Sequence, residues 1–188
     1  SPVVPPHARV MMMCTFPHAS AKRCMAFHYP NFQNDMWRIY GLVFFNDAGH
    51  FQVAGEKRFD AGKIRDFLMA HNIALCPTVR RAVRERGNAS DKFLRIVEPV
   101  DLGAVLAQLP DCRWLFTTGG KATETLLSLL EPAPPMPPVN QAVAFDYHGR
   151  HLQLCRLPSS SRAYPLALAA KAAAYRVFFE RSGVLPLS

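Results

Sequence analysis

Four short apolar runs frame this chain: RVMMMCTF (9–16), IALCPT (73–78), CRWLFTTGG (112–120) and HLQLCRL (151–157). Each stops at proline, glycine or small polar residues. Runs of this length suit strands buried on both faces. Between them the apolar period lengthens to that of helices. Met36, Ile39, Tyr40, Val43 and Phe44 recur at helical spacing in FQNDMWRIYGLVFF. In FDAGKIRDFLMAHN, Ile64, Phe67 and Leu68 mark a buried face, Asp60 is placed to cap, and Phe59 can staple onto Ile64. Asp101 opens VDLGAVLAQL, with Leu102, Val105, Leu106 and Leu109 inward. KATETLLSLL follows the third run, and Pro165 fits the first turn of a last helix through Leu168, Ala172, Tyr175 and Phe179. This alternation predicts an α/β fold: a three-layer α/β/α sandwich around a central, mostly parallel four-stranded sheet of residues 10–16, 73–77, 113–118 and 152–157.

A chain of 188 residues suits a single domain, 1–188. Residues 1–8 are expected to be flexible. EPAPPMPPVN (131–140) is a stiff proline-rich surface loop, and AVAFDYHGRHLQLCRL reads as a hairpin turning near His148–Gly149. VRRAVRERGNASDKF is basic, then turn-like; Arg80, Arg81, Arg84 and Arg86 form a basic stripe, with a solvated helix face as the plain reading. No apolar run approaches the roughly 20 residues of a membrane span. The opening SPVVPPHARV lacks the pattern of a signal peptide, so the expected location is cytoplasmic. Five cysteines, an odd number at wide spacings and with no CxxC pair, argue against a disulfide framework, a zinc ribbon or an iron–sulfur cluster. Cys14, Cys76 and Cys155 sit in apolar runs and read as small core residues. The net charge of +8 attracts polyanions.

In open parallel sheets ligands bind beyond the carboxyl ends of the strands. Here those ends are FPHAS, CPTVR, TTGGK and LPSSSR, all small, polar or basic. Two stretches beside them carry chemistry. In AFHYPNFQNDMW (26–37), Trp37 and Met36 read as core, and Asn31 or Asn34 as a helix cap. Tyr29 and Phe32 offer faces on which a base can stack. In RLPSSSRAY, one serine suffices as a cap, which leaves two hydroxyls to explain. Hydroxyls and loop amides bind phosphate oxygens, and Arg162 can contact phosphate or wedge into a duplex. His148 and His151 are spaced for two metal ligands, but on a hairpin turn that reading is weak.

These motifs, in this order, resemble the uracil-DNA glycosylase superfamily, and most of all its hypoxanthine-DNA glycosylase branch and bacterial uracil-DNA glycosylase family proteins. FPHAS resembles the first motif, NFQNDMW the aromatic segment, RERGNASD a basic turn, TTGGKA the glycine turn at a strand end, and LPSSSRAY the terminal serine motif. The resemblance implies a monofunctional DNA N-glycosylase of base excision repair. Such an enzyme flips a deaminated base, uracil or hypoxanthine, out of single- or double-stranded DNA and hydrolyses its N-glycosidic bond. It acts without metal or cofactor, as a monomer and with no membrane partner. It further implies that Asn34 orients the attacking water, with Asp35 as substitute. Tyr29, Phe32 and Phe16 would line the base pocket, and Ser90 would donate to the leaving base. Ser159, Ser160, Ser161, Arg162, Arg80 and Arg81 would hold DNA.

Two positions depart from the family pattern. Phe16 stands where many members carry a water-positioning Asp or Asn, and Leu157 where several carry a base-stabilising His. Both favour an alternative: a catalytically inactive nucleic-acid-binding domain with the glycosylase fold. A third reading, an unrelated α/β nucleotide-binding enzyme, lacks any GxGxxG or Walker pattern.

Overall fold

The computed structural model describes residues 2–14, 31–84 and 94–187. Its strands are β1 (Val10–Cys14), β2 (Ile73–Pro77), β3 (Val79–Arg84), β4 (Leu94–Pro99), β5 (Trp114–Thr118), β6 (Ala142–Tyr147) and β7 (Arg150–Leu157). Its α-helices are α1 (Met36–Phe45), α2 (Ala61–Ala70), α3 (Leu102–Ala107), α4 (Gly120–Leu127) and α5 (Leu168–Arg181).

The central sheet has the order β2-β1-β5-β7-β6. All neighbours are parallel except β6 and β7. The sheet thus has five strands and not four, because the first half of the hairpin pairs with β7 from Arg150 to Cys155. The turn between them uses His148 (φ 48°) and Gly149 (φ 80°), the left-handed pair that matches the twist of a two-residue hairpin.

Alternation along the strands builds the three layers. Val10 and Met12 join Ile39, Tyr40, Phe67, Tyr175 and Phe179 in one core, beneath α1, α2 and α5. Met11 and Met13 join Leu102, Leu106 and Leu126 in the other, beneath α3 and α4. Asp60 and Asp101 cap α2 and α3 through the amides of Lys63 and Ala104. At Gly41 in α1 the chain returns so closely that a Cβ would stand 2.3 Å from the Asp47 carbonyl oxygen.

Three further expectations are corrected. The segment from Val79 to Arg84 is not a helix face; it pairs antiparallel with β4 as a separate two-stranded sheet. Valines at 79 and 83 opposite LRIVEP favour a ladder, and that long-range pairing overrides the local charge pattern. The last helix starts at Leu168, three residues beyond Pro165, after a turn in which Leu166 N–H donates to the Tyr164 carbonyl. Near the start of the chain Val3 exchanges backbone hydrogen bonds with Leu75 at 2.8 and 2.9 Å, and Val3 and Ala8 are buried. Cys14 is disulfide-bonded, because an odd count excludes complete pairing but not a single bridge. Cys76, Cys112 and Cys155 are free and buried.

Candidate functional site

The carboxyl ends of the strands are tied together in pairs. Thr78 donates to the Cys14 carbonyl through both N–H (2.8 Å) and Oγ1 (3.0 Å), joining the ends of β2 and β1. Gly119 N–H donates to the Leu157 carbonyl at 3.0 Å, joining β5 to β7. Gly119 has φ +109°, and a Cβ there would lie 3.3 Å from the Ser159 Cβ. A glycine is thus needed for the turn and for the close approach of the serine loop.

That loop leaves β7 through Pro158, whose carbonyl accepts from the buried Tyr175 hydroxyl at 2.9 Å. Burial holds the Tyr175 phenol well above its ordinary pKa, so it stays a donor. Ser159 Oγ accepts from Ser161 N–H and Ser161 Oγ from Ala163 N–H, each at 3.2 Å. Two of the three serines therefore build consecutive turns. Each hydroxyl keeps its own proton to donate outward. Ser160 is buried, unlike its neighbours.

The Asn34 segment is bound edge-on to this loop. Asn34 forms an isolated antiparallel bridge with Ser161, and Asp35 N–H donates to the Ser160 carbonyl at 2.8 Å. Asn34 Oδ1 also accepts from Met36 N–H at 2.8 Å, so its side chain serves the first amide of α1, while Asp35 stands at the cap position. Phe32 packs beside Phe59 (5.2 Å between centroids), and the Arg38 guanidinium covers it at 4.4 Å. The Phe32 ring is therefore partly occupied by its own neighbours.

Asp35 is ringed by cations. Lys171 Nζ lies 3.3 Å from Oδ2, while Arg38 Nη1 and Arg162 Nε each lie 3.5 Å from Oδ1. Arg38 also donates to the Asn34 carbonyl at 3.0 Å, and Arg162 to Gln33 Oε1 at 3.1 Å. Burial, and then the Arg162 charge, lower the Arg38 pKa, with Asp35 opposing. These three cations carry two more charges than the one carboxylate they share. The exposed member is Arg162, whose side chain keeps 50% of its accessible surface.

The structure therefore brings together Asn34, Asp35, Phe32, Ser159, Ser160, Ser161 and Arg162. Arg80 and Arg81 lie on β3, which follows directly from the end of β2 through Thr78. Phe16, Tyr29 and Ser90 lie outside the described residues. Sequence reasoning missed Lys171 and Arg38. Lys171 falls in the inward stripe of α5 with Ala172, Tyr175 and Phe179. Among the described residues no group of three or more His, Cys, Asp or Glu side chains is placed to hold a metal ion, and no helix is long and apolar enough to cross a membrane. His148 stacks on Tyr147 and His151 pairs with Asp146, so the two histidines are turned to different partners.

No family model and no curated relative matches the sequence. Among solved structures, the fold is similar to the solution NMR structure of a candidate uracil DNA glycosylase from Methanosarcina acetivorans. The TM-score is 0.61 and the identity 18%, covering 97% of this chain and 96% of that one. The chain thus has an α/β sandwich fold similar to that of this protein.

Proposed function

We propose that the protein is a DNA glycosylase that flips a deaminated base, uracil or hypoxanthine, out of DNA and hydrolyses its N-glycosidic bond. The observation that carries this reading is the fusion of the Asn34 segment to the serine loop at the carboxyl ends of parallel strands. A glycosylase needs that proximity, because the water and the gripped backbone must meet at one sugar. The fold of the Methanosarcina acetivorans protein and the net charge of +8 support it.

In this reading Asn34 orients the water. Its Oδ1 already serves Met36, but a carbonyl oxygen has a second lone pair and the amide has two donors. An amide does not deprotonate water; the developing sugar cation activates it. Asp35, with three cations on it, is a positioning residue more than a base. Ser159, Ser161 and Arg162 hold phosphates, with Arg80 and Arg81 as additional DNA-binding residues. Tyr29, Phe16 and Ser90 complete the base pocket. Within the described site the one lysine, Lys171, is buried and tied to Asp35 and Ser161, which supports a monofunctional enzyme without an amine nucleophile. The protein acts as a monomer on DNA, in base excision repair.

The test is excision at saturating protein from oligonucleotides carrying uracil, hypoxanthine, xanthine or a mismatch. Abasic sites that break only in alkali are expected. The neutralised Asp35 and the phenylalanine at position 16 favour the second reading, a DNA-binding domain without catalysis. Binding with no excision of any of the four would establish it.

A further inference from the structure

Lys171 is the odd member of α5. Its neighbours in the inward stripe are Ala172, Tyr175, Phe178 and Phe179, yet it is equally buried, at 1% exposure. A lysine is rarely buried to this degree unless its ammonium is paired. Here Nζ lies 3.3 Å from Asp35 Oδ2 and donates to the Ser161 carbonyl at 2.8 Å. One turn further along, Tyr175 holds the same loop at Pro158. The last helix therefore grips the serine loop at both ends, and only the lysine also grips the Asn34 segment.

We propose that Lys171 is a positioning residue for base excision: its ammonium sets the spacing between Asn34, through Asp35, and the phosphate-binding loop, through Ser161. The inference rests on the glycosylase reading. Three observations carry it. A buried ion pair stabilises a fold little compared with apolar packing, and a methionine would fit this stripe, so stability alone does not account for a lysine here. The ammonium is the buried side-chain link between two segments that also meet through backbone bonds at Asn34–Ser161 and Asp35–Ser160 and through the half-exposed Arg162, which reaches Asp35 and Gln33. Arg162 reaches the same carboxylate from solvent, half-exposed, and a DNA phosphate can draw it away. Lys171 and Arg38 then keep Asp35 paired, so the Asn34 segment stays in place while the arginine changes partner.

The test compares wild type, Lys171→Met, Asp35→Asn and the double variant, all checked for folding by thermal melts. Single-turnover excision by folded Lys171→Met should fall about tenfold or more, while its Kd for DNA stays within about threefold. The double variant should be no slower than the slower single, because both act through one contact. Amide exchange at Asp35 should quicken about tenfold relative to core amides such as Phe116. Wild-type excision by Lys171→Met, additive losses, or unchanged Asp35 exchange would each overturn the proposal. Should Lys171→Met not fold, Asp35→Asn carries the test with the same expectations. A wild type that excises nothing defeats the glycosylase reading alone; the exchange measurement then decides on Lys171.

Discussion

The backbone N–H of Asp35 donates to the carbonyl of Ser160 at 2.8 Å. One residue before this bond is Asn34, and two residues after it is Arg162. The chain therefore places a neutral amide and an exposed guanidinium on either side of a fixed backbone link. The expected consequences of the site can be measured one by one.

Replacing Asn34 separates its role at the start of α1 from its proposed role in excision. Asn34→Ala removes the acceptor 2.8 Å from Met36 N–H and should destabilise the fold by about 1 kcal/mol. It should also lower single-turnover excision by about 10²-fold. Asn34→Ser keeps an acceptor for the helix start, so the melting temperature should recover while excision stays low. Excision at the wild-type rate by Asn34→Ser would mean that the water is held elsewhere.

DNA binding should weaken steeply as salt rises, because bound phosphates release counterions. Arg162→Ala should reduce the slope of log K against log salt by about one. Titrations by fluorescence anisotropy between low and moderate salt measure this. A slope unchanged by the substitution removes Arg162 from the phosphate contacts.

Arg150 sits at the far end of β7 and donates to the carbonyls of Leu106 (2.5 Å), Leu109 (2.7 Å) and Cys112 (2.8 Å). Arg150→Ala leaves all three without this donor and should destabilise the protein by about 2–3 kcal/mol. Excision per folded molecule should not change, since the serine loop lies at the other end of the strand. Urea titration and single-turnover kinetics separate the two effects.

Gly119→Ala forces a side chain onto a φ of +109° and against Ser159. A loss of about 1–3 kcal/mol is expected, together with weaker DNA binding as the loop is displaced. An alanine variant with wild-type affinity would show that the Gly119 approach is not needed by the loop.

Alkaline pH should unfold the protein early. Burial raises the Cys76 thiol from 9.0 to about 12, and those of Cys112 and Cys155 to about 11. The folded state thus keeps protons that the unfolded chain releases. The stabilisation is complete below pH 9 and is lost as pH rises toward 11–12. For a thiol as buried as Cys76 the slope is about 1.4 kcal/mol per pH unit in that window. Denaturant midpoints measured from pH 7 to 11 should fall above pH 9. Cys76→Ala should fall less steeply.

The sandwich was legible because its strands are buried on both faces and its helices carry caps such as Asp60 and Asp101. Periodicity and caps are local, so the sequence displays them. The edge strand β6 was half visible: its hairpin turn could be read, but its pairing along β7 depends on what the sheet leaves open. The ribbon of β3 and β4 was misread because arginines at 80, 81 and 84 describe a surface and not a period. At the site, Asn34 and the serines stood out as polar residues at strand ends. Asn34 was one of two asparagines read as a cap, and only the geometry shows its Oδ1 on Met36 N–H with Asp35 at the cap position itself. Arg38 was invisible because it follows a core tryptophan in an ordinary helix. Lys171 was hidden by composition: a lysine among alanines reads as solvated until its neighbours Tyr175 and Phe179 are seen to face the sheet.

The pair of hydrogen bonds between Val3 and Leu75 has a further consequence. β2 is an outer strand of the sheet, and among the described residues outside the sheet it is Val3 that pairs with its outer rim, a template for any other extended chain. Val3 lies along that rim as a short plug. A chain trimmed past Val3 would lose little core but would uncover the rim. Two such chains could then zip their β2 strands together into one continuous sheet. Trimming should therefore show itself as self-association that grows with concentration, well before it shows itself as a lower melting temperature.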